Sequence, residues 1–176
     1  MMLIPCKVFM MLTISLFATL TGCDTVAQYA GDGRLTDNGP SAATDRYVLD
    51  LGPISLKSLA SSTFKLKNLP KTDFVVGIEL RSPSAKIEQR SISAIVALSV
   101  MEDGKMIVSK EAKLSDWTWS IHSPGNYAFV YGREQPATHF TPIPGKNYEL
   151  TIRVKDPDRG SSNYTAVLVA KSSGWK

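Results

Sequence analysis

Few side chains in this 176-residue chain could do covalent or acid–base chemistry. There are two histidines, His122 and His139, and two cysteines, Cys6 and Cys23. A zinc or dithiol centre needs ligands spaced as in HExxH or CxxC, and neither spacing occurs. Asp156-Pro157-Asp158 sets two carboxylates near Gly160 without the further oxygen ligands of a calcium loop. No metal and no cofactor is therefore expected. A serine acyl-enzyme has no GxSxG or SxxK signature, so His122 and Asp116 would have to meet a serine through the fold. Asp116, Glu134 and Glu111 are the acids available for a glycosidase-type pair, but any surface supplies such acids.

Residues suited to binding are more prominent. Trp117 and Trp119 stand two apart and so share one face of a strand. Exposed, they would form a stacking platform for a sugar ring or an apolar partner; Ile121 continuing the stripe favours core over platform. The connection 131–146 (YGREQPATHFTPIPGK) carries three prolines, Arg133, His139 and Phe140. Long loops at the end of a β-domain commonly carry recognition. Its Thr-His-Phe-Thr segment reads alternatively as a short strand whose Phe140 plugs one end of the core.

The N-terminus has its own chemistry. Residues 8–20 (VFMMLTISLFATL) carry no charge and follow Lys7. A helix of that length rises only about 20 Å, too short for a hydrocarbon core of roughly 30 Å. It matches the apolar region of a secretory signal peptide. Leu20-Thr21-Gly22-Cys23 comes next and resembles the lipobox of bacterial lipoproteins. Gly22 leaves room for a peptidase at the scissile bond, and the Cys23 thiol can be alkylated to a thioether-linked diacylglycerol. The resemblance implies removal of residues 1–22 and lipidation of Cys23. Two or more acyl chains, at about 0.8 kcal/mol per buried CH₂, attach a protein durably where one does not. It further implies a body facing the periplasm of a Gram-negative envelope. Asp24 resembles the residue that retains enteric lipoproteins at the inner membrane, and leans the choice between inner and outer membrane that way.

The elements that must position the binding residues have a period of two. Tyr148, Leu150, Ile152 and Val154 alternate with Glu149, Thr151, Arg153 and Lys155 over 147–155, a half-buried antiparallel strand. Similar strands are expected at 63–68, 116–122 and 125–131. More uniformly apolar ones at 74–81, 92–101 and 164–171 read as central strands covered on both faces. Glu102-Asp103-Gly104-Lys105 predicts a type I′ hairpin with Glu102 opposite Lys105, Met101 opposite Met106 and Val100 opposite Ile107. Residues 23–45, rich in Gly, Ala, Ser, Thr and Asp, read as a flexible tether with a span of about 25 Å. Residues 46–176 then form an all-β domain, an antiparallel Greek-key β-sandwich of Ig-like or jelly-roll type.

Composition limits function without assigning it. The net charge is +4, from 20 basic and 16 acidic residues, and has no clustered stripe of the kind nucleic-acid binding requires. The favoured expectation is a membrane-anchored, non-catalytic protein-interaction domain with an envelope partner, of the accessory or toxin-immunity type. The body is similar to uncharacterised β-rich lipoproteins of Gram-negative bacteria, a likeness that carries over no functional residues. The alternative is a glycan or peptidoglycan-fragment module using Trp117/Trp119 or the 131–146 loop. An envelope enzyme is the weaker third.

Overall fold

The strand rule of alternating faces is obeyed most fully where the sequence alternates most strictly. In a computed structural model, Tyr148, Leu150, Ile152 and Val154 are all buried while Glu149, Arg153 and Lys155 face solvent. The structure describes residues 28–39, 45–83, 86–122, 125–160 and 163–172. The leader, the lipobox with Cys23, and Asp24 lie outside the described residues. Among the described residues, the chain forms twelve strands and two short 3₁₀ turns, and no helix is long and apolar enough to cross a membrane.

In chain order the strands are β1 (Ala30–Gly31), β2 (Arg34–Asp37), β3 (Tyr47–Ile54), β4 (Ala60–Lys67), β5 (Phe74–Arg81) and β6 (Ile95–Glu102). They continue as β7 (Lys105–Lys113), β8 (Thr118–His122), β9 (Tyr127–Tyr131), β10 (His139–Phe140), β11 (Asn147–Asp156) and β12 (Thr165–Ser172). Sheet A has the order β1-β4-β11-β6-β7, and sheet B the order β2-β3-β12-β5-β9-β8, with β10 added alongside β5. Every pairing is antiparallel. The long strands pair in nested fashion: β3 with β12, β4 with β11, β5 with β9 and β6 with β7. A hairpin rolled up in that way, with successive strands sent to alternate sheets, is a jelly roll, and the order separates it from an Ig-like sandwich.

Between the sheets lies one core. Leu49, Phe74, Val76, Ile78 and Leu80 from sheet B meet Val96, Leu98, Val100, Leu150 and Ile152 from sheet A. With no cysteine after residue 23, stability rests on this burial, at roughly 25 cal/mol per Å² of apolar surface. β5 is covered on both faces, as expected, since only Arg81 is exposed. β6 is not: Val96, Leu98 and Val100 are buried, but Ile95, Ala97, Ser99 and Met101, on the outside of sheet A, are only partly covered.

Two further expectations are corrected. The hairpin at Asp103-Gly104 has the positive φ values of a type I′ turn, 45° and 85°, and pairs Glu102 with Lys105 and Met101 with Met106. A bulge then shifts the register, so Val100 faces Val108 and not Ile107. The stretch expected to be tether contains β1 and β2, paired with β4 and β3, with Tyr29 and Leu35 packed on the core. Strands of two and four residues are too short to show a period, so their apolar anchors look scattered in the sequence. β3 also runs through Gly52 and Pro53; its register against β12 skips Leu51, between Asp50 and Gly52, so the bulge lies in β3 beside them.

Candidate functional site

β8 decides the fate of the tryptophans. It is an edge strand whose inward face bears Trp119 and Ile121 and whose outward face bears Thr118, Ser120 and His122, as the pairing of Trp119 with core residue Val130 fixes. Trp117, just before the strand, is 2% exposed in the core. Its indole N–H has no partner among the described residues. Trp119 is half-buried against the same core and donates its indole N–H to the Leu114 carbonyl at 2.8 Å. The pair therefore forms no stacking platform, which corrects the assignment of Trp117 and Trp119 to a binding surface. Ile121, further along the edge strand, is 48% exposed.

The 131–146 connection also resolves into packing and surface. Thr138 is fully buried: its hydroxyl donates to the Val76 carbonyl at 2.7 Å and accepts from the Gly132 N–H at 2.9 Å. The Lys110 ammonium, 3.3 Å and 3.1 Å from the Glu134 and Pro136 carbonyls, holds the loop against the edge of sheet A. β10 follows, with His139 opposite Val75 and Phe140 opposite Phe74. Phe140 packs between Phe74 and Tyr148, with ring centroids 6.1 Å and 5.5 Å away, so it closes the core and leaves the binding surface. Arg133 and His139 are exposed. Of the nominated residues, only these two stay available, and no ring contact or ion pair joins them.

His139 instead ends an array the sequence did not single out. The outward side chains of β9 are Tyr127, Phe129 and Tyr131, because Ala128 and Val130 are fully buried in the core. Phe129 and Tyr131 stack at 5.2 Å, Tyr131 lies 6.4 Å from the His139 ring, and Tyr127 meets the His122 ring edge-on at 5.0 Å. The Lys171 ammonium bridges the gap, 4.6 Å from the Phe129 centroid and 5.6 Å from that of Tyr127. An aromatic–cation ladder thus runs His122–Tyr127–Lys171–Phe129–Tyr131–His139 across the outside of sheet B. Phe129 joins Val75 and Val169 in a small second core on this face, with Tyr131 and Val167 packed against it.

Charge fixes the ladder. Glu79, on β5 and 6% exposed, accepts from the Tyr127 hydroxyl at 2.7 Å, from Lys171 at 2.9 Å and from Arg81 at 2.7 Å. Burial alone would raise the Glu79 carboxyl, but the bonds from Tyr127, Lys171 and Arg81 outweigh it and hold the group below its ordinary value. Burial would likewise lower Lys171, and its bonds to Tyr127 and Glu79 hold it above. Burial pushes His139 below its ordinary value, opposed by the Asp73 charge. The surface is consequently rigid and pre-set, with exposed Arg81 and the histidines at its margins.

Among the described residues, the nominated His122 and Asp116 are not brought together. His122 and Asp116 sit at opposite ends of β8, and the Asp116 carboxylate accepts from the Ser115 hydroxyl. Asp158, one of the acids near Gly160, is a structural pin that the sequence did not distinguish. Its carboxylate receives the Ser93 N–H and hydroxyl at 3.1 Å each, the Gly160 N–H at 3.1 Å, Lys57 at 3.0 Å and the Tyr164 hydroxyl at 2.7 Å. No cluster of metal-ligating side chains occurs among the described residues. A groove of 510 Å³ opens on the outside of sheet A beside Lys65, Lys67 and Glu149, and contains none of the nominated residues. No protein-family model matches the chain, and no curated protein matches it either.

Proposed function

We propose that the protein is a membrane-anchored periplasmic lipoprotein, held by lipidated Cys23. Its jelly-roll body acts as a non-catalytic recognition domain for another envelope protein. The observation that supports this is the ladder on the outside of sheet B. Tyrosine and arginine dominate the energetics of protein interfaces, and a surface already locked by Glu79 loses little entropy on binding. A jelly roll by itself carries no function, so the argument rests on these side chains. The glycan reading loses its main motive with the burial of Trp117.

The experiment is crosslinking of the native, lipidated protein in its envelope, followed by purification and mass spectrometry. One stoichiometric protein should be recovered with the wild type and with Thr151→Ala, on the outside of sheet A. It should be lost from a Tyr131→Ser/His139→Ala variant. Equal recovery from that variant would overturn the surface assignment, and saturable binding of muropeptides with no protein partner would favour the glycan reading. The anchor has a separate test. Cys23→Ala should abolish palmitate labelling, and labelling that survives would remove the lipoprotein assignment.

A further inference from the structure

The chain enters the fold at one end of the sandwich, and it enters early. Ala30 pairs with Lys67 and Gly31 with Leu66, at the end of β4. The entry is fastened further back, where the Asn68 side-chain amide lies 3.3 Å from the Gln28 carbonyl. Asp32 is bonded to Lys65 through both backbone and carboxylate, at 2.9 Å and 2.8 Å. Only five peptide steps separate Cys23 from Gln28. Fully extended they reach about 18 Å, less than the length of the sandwich, since an eight-residue strand such as β4 spans about 25 Å.

Resting on the anchored reading, we infer that this end of the jelly roll lies on the membrane surface and contacts anionic phospholipid headgroups. The opposite end and the outer face of sheet B are then presented to the periplasm. The end in question is built from the β4–β5 connection, the tip of the β6–β7 hairpin and the segment before β11. It exposes Lys67, Lys71 and Lys105, none of which forms an ion pair among the described residues. Of the acids there, Asp103 is ion-paired with Lys146 at 2.7 Å, Glu102 and Asp73 accept from the Tyr148 and Thr141 hydroxyls, and Glu149 is exposed. The same end carries Ile143, 52% exposed, whose N–H donates to the Tyr148 hydroxyl at 2.7 Å; an exposed apolar side chain suits a headgroup boundary. Leu59 and Ile121 are exposed at the far end, so apolar exposure does not choose the end; the point of chain entry does.

Single-cysteine labelling tests this in the full lipidated protein. The exported body has no thiol after residue 23, so Ile143→Cys, Lys71→Cys and Leu59→Cys each add one reactive site at an exposed position. The labelled proteins are reconstituted into phosphatidylethanolamine vesicles with a minor share of phosphatidylglycerol, some of the lipid carrying a headgroup nitroxide. Quenching at positions 143 and 71 should exceed that at 59 several-fold. It should fall when Lys67, Lys71 and Lys105 are changed together to glutamate in the Ile143→Cys protein. Equal quenching at all three positions, or more at 59, would overturn the orientation; quenching at 143 that ignores the charge reversal would overturn the headgroup contact. Intact mass of the same preparations reports diacylglycerol on Cys23, so loss of the anchor itself is read separately and removes the inference with it.

Discussion

The ring of Phe129 occupies the space that any side chain at Gly77 would need. A Cβ built on Gly77 would stand 2.5 Å from Phe129 Cε2 and 2.5 Å from the Val130 carbonyl oxygen. The glycine lets an aromatic ring cover the backbone of the central strand β5, and it gives the ladder its floor. Because one of the clashing atoms is backbone, rotating the ring would not relieve the crowding. Gly77→Ala should therefore cost about 1–3 kcal/mol in urea unfolding and disturb the environments of Tyr131 and His139 in NMR spectra. A neutral variant with unshifted resonances would contradict the packing.

Asp158 should dominate the acid limb of stability. Bonds from Tyr164, Ser93, Lys57 and Gly160 overcome the burial that would raise its carboxyl and hold it far below the ordinary 3.8. A depressed folded-state value contributes stability that is complete above the unfolded value and is lost as pH falls through the folded one. Asp158→Asn should cost about 2–3 kcal/mol at neutral pH, and the gap from wild type should shrink steadily below about pH 4. Urea midpoints across that range measure it, and a gap independent of pH would remove the ionic part of the argument.

The Glu79–Lys171 contact at 2.9 Å couples β5 to β12 on the outside of sheet B, with side chains only 7% and 15% exposed. A double-mutant cycle on Glu79→Gln and Lys171→Met should give a coupling of about 1–3 kcal/mol. Glu79→Gln alone should be the costlier change, because it strands a poorly solvated ammonium. Additive single effects would show that the ladder does not depend on this pair.

Tryptophan emission checks the packing of β8. With Trp175 changed to Phe, the signal comes from Trp117 and Trp119, one buried and one half-buried. It should be blue-shifted, weakly quenched by acrylamide and unmoved by glycan. Red emission with free quenching would restore the platform.

Much of the architecture was legible in local order. Strict alternation marked β11, a run of apolar residues marked β5, and Asp103-Gly104 announced its hairpin. Those signals are local because strand faces follow from backbone geometry alone. The ladder was not legible, though the alternation of Tyr127, Phe129 and Tyr131 against Ala128 and Val130 was plain. Alternation separates two faces without saying which one meets the opposite sheet, and large aromatics on the outside invert the usual preference.

The sequence by itself determined an all-β body with no cysteine after residue 23, the lipobox expectation at its N-terminus, and the approximate places of seven of the twelve strands. Tertiary structure alone decided the nested jelly-roll pairing, the burial of Trp117 and Phe140, and the assembly of the ladder from β5, β8, β9, β10 and β12. It also placed Ala30 and Gly31 in a strand paired with the end of β4. The physical reason is common to all of these. Each depends on which strands become neighbours, and that choice is made by burial summed over the whole core, not by any residue's own preference.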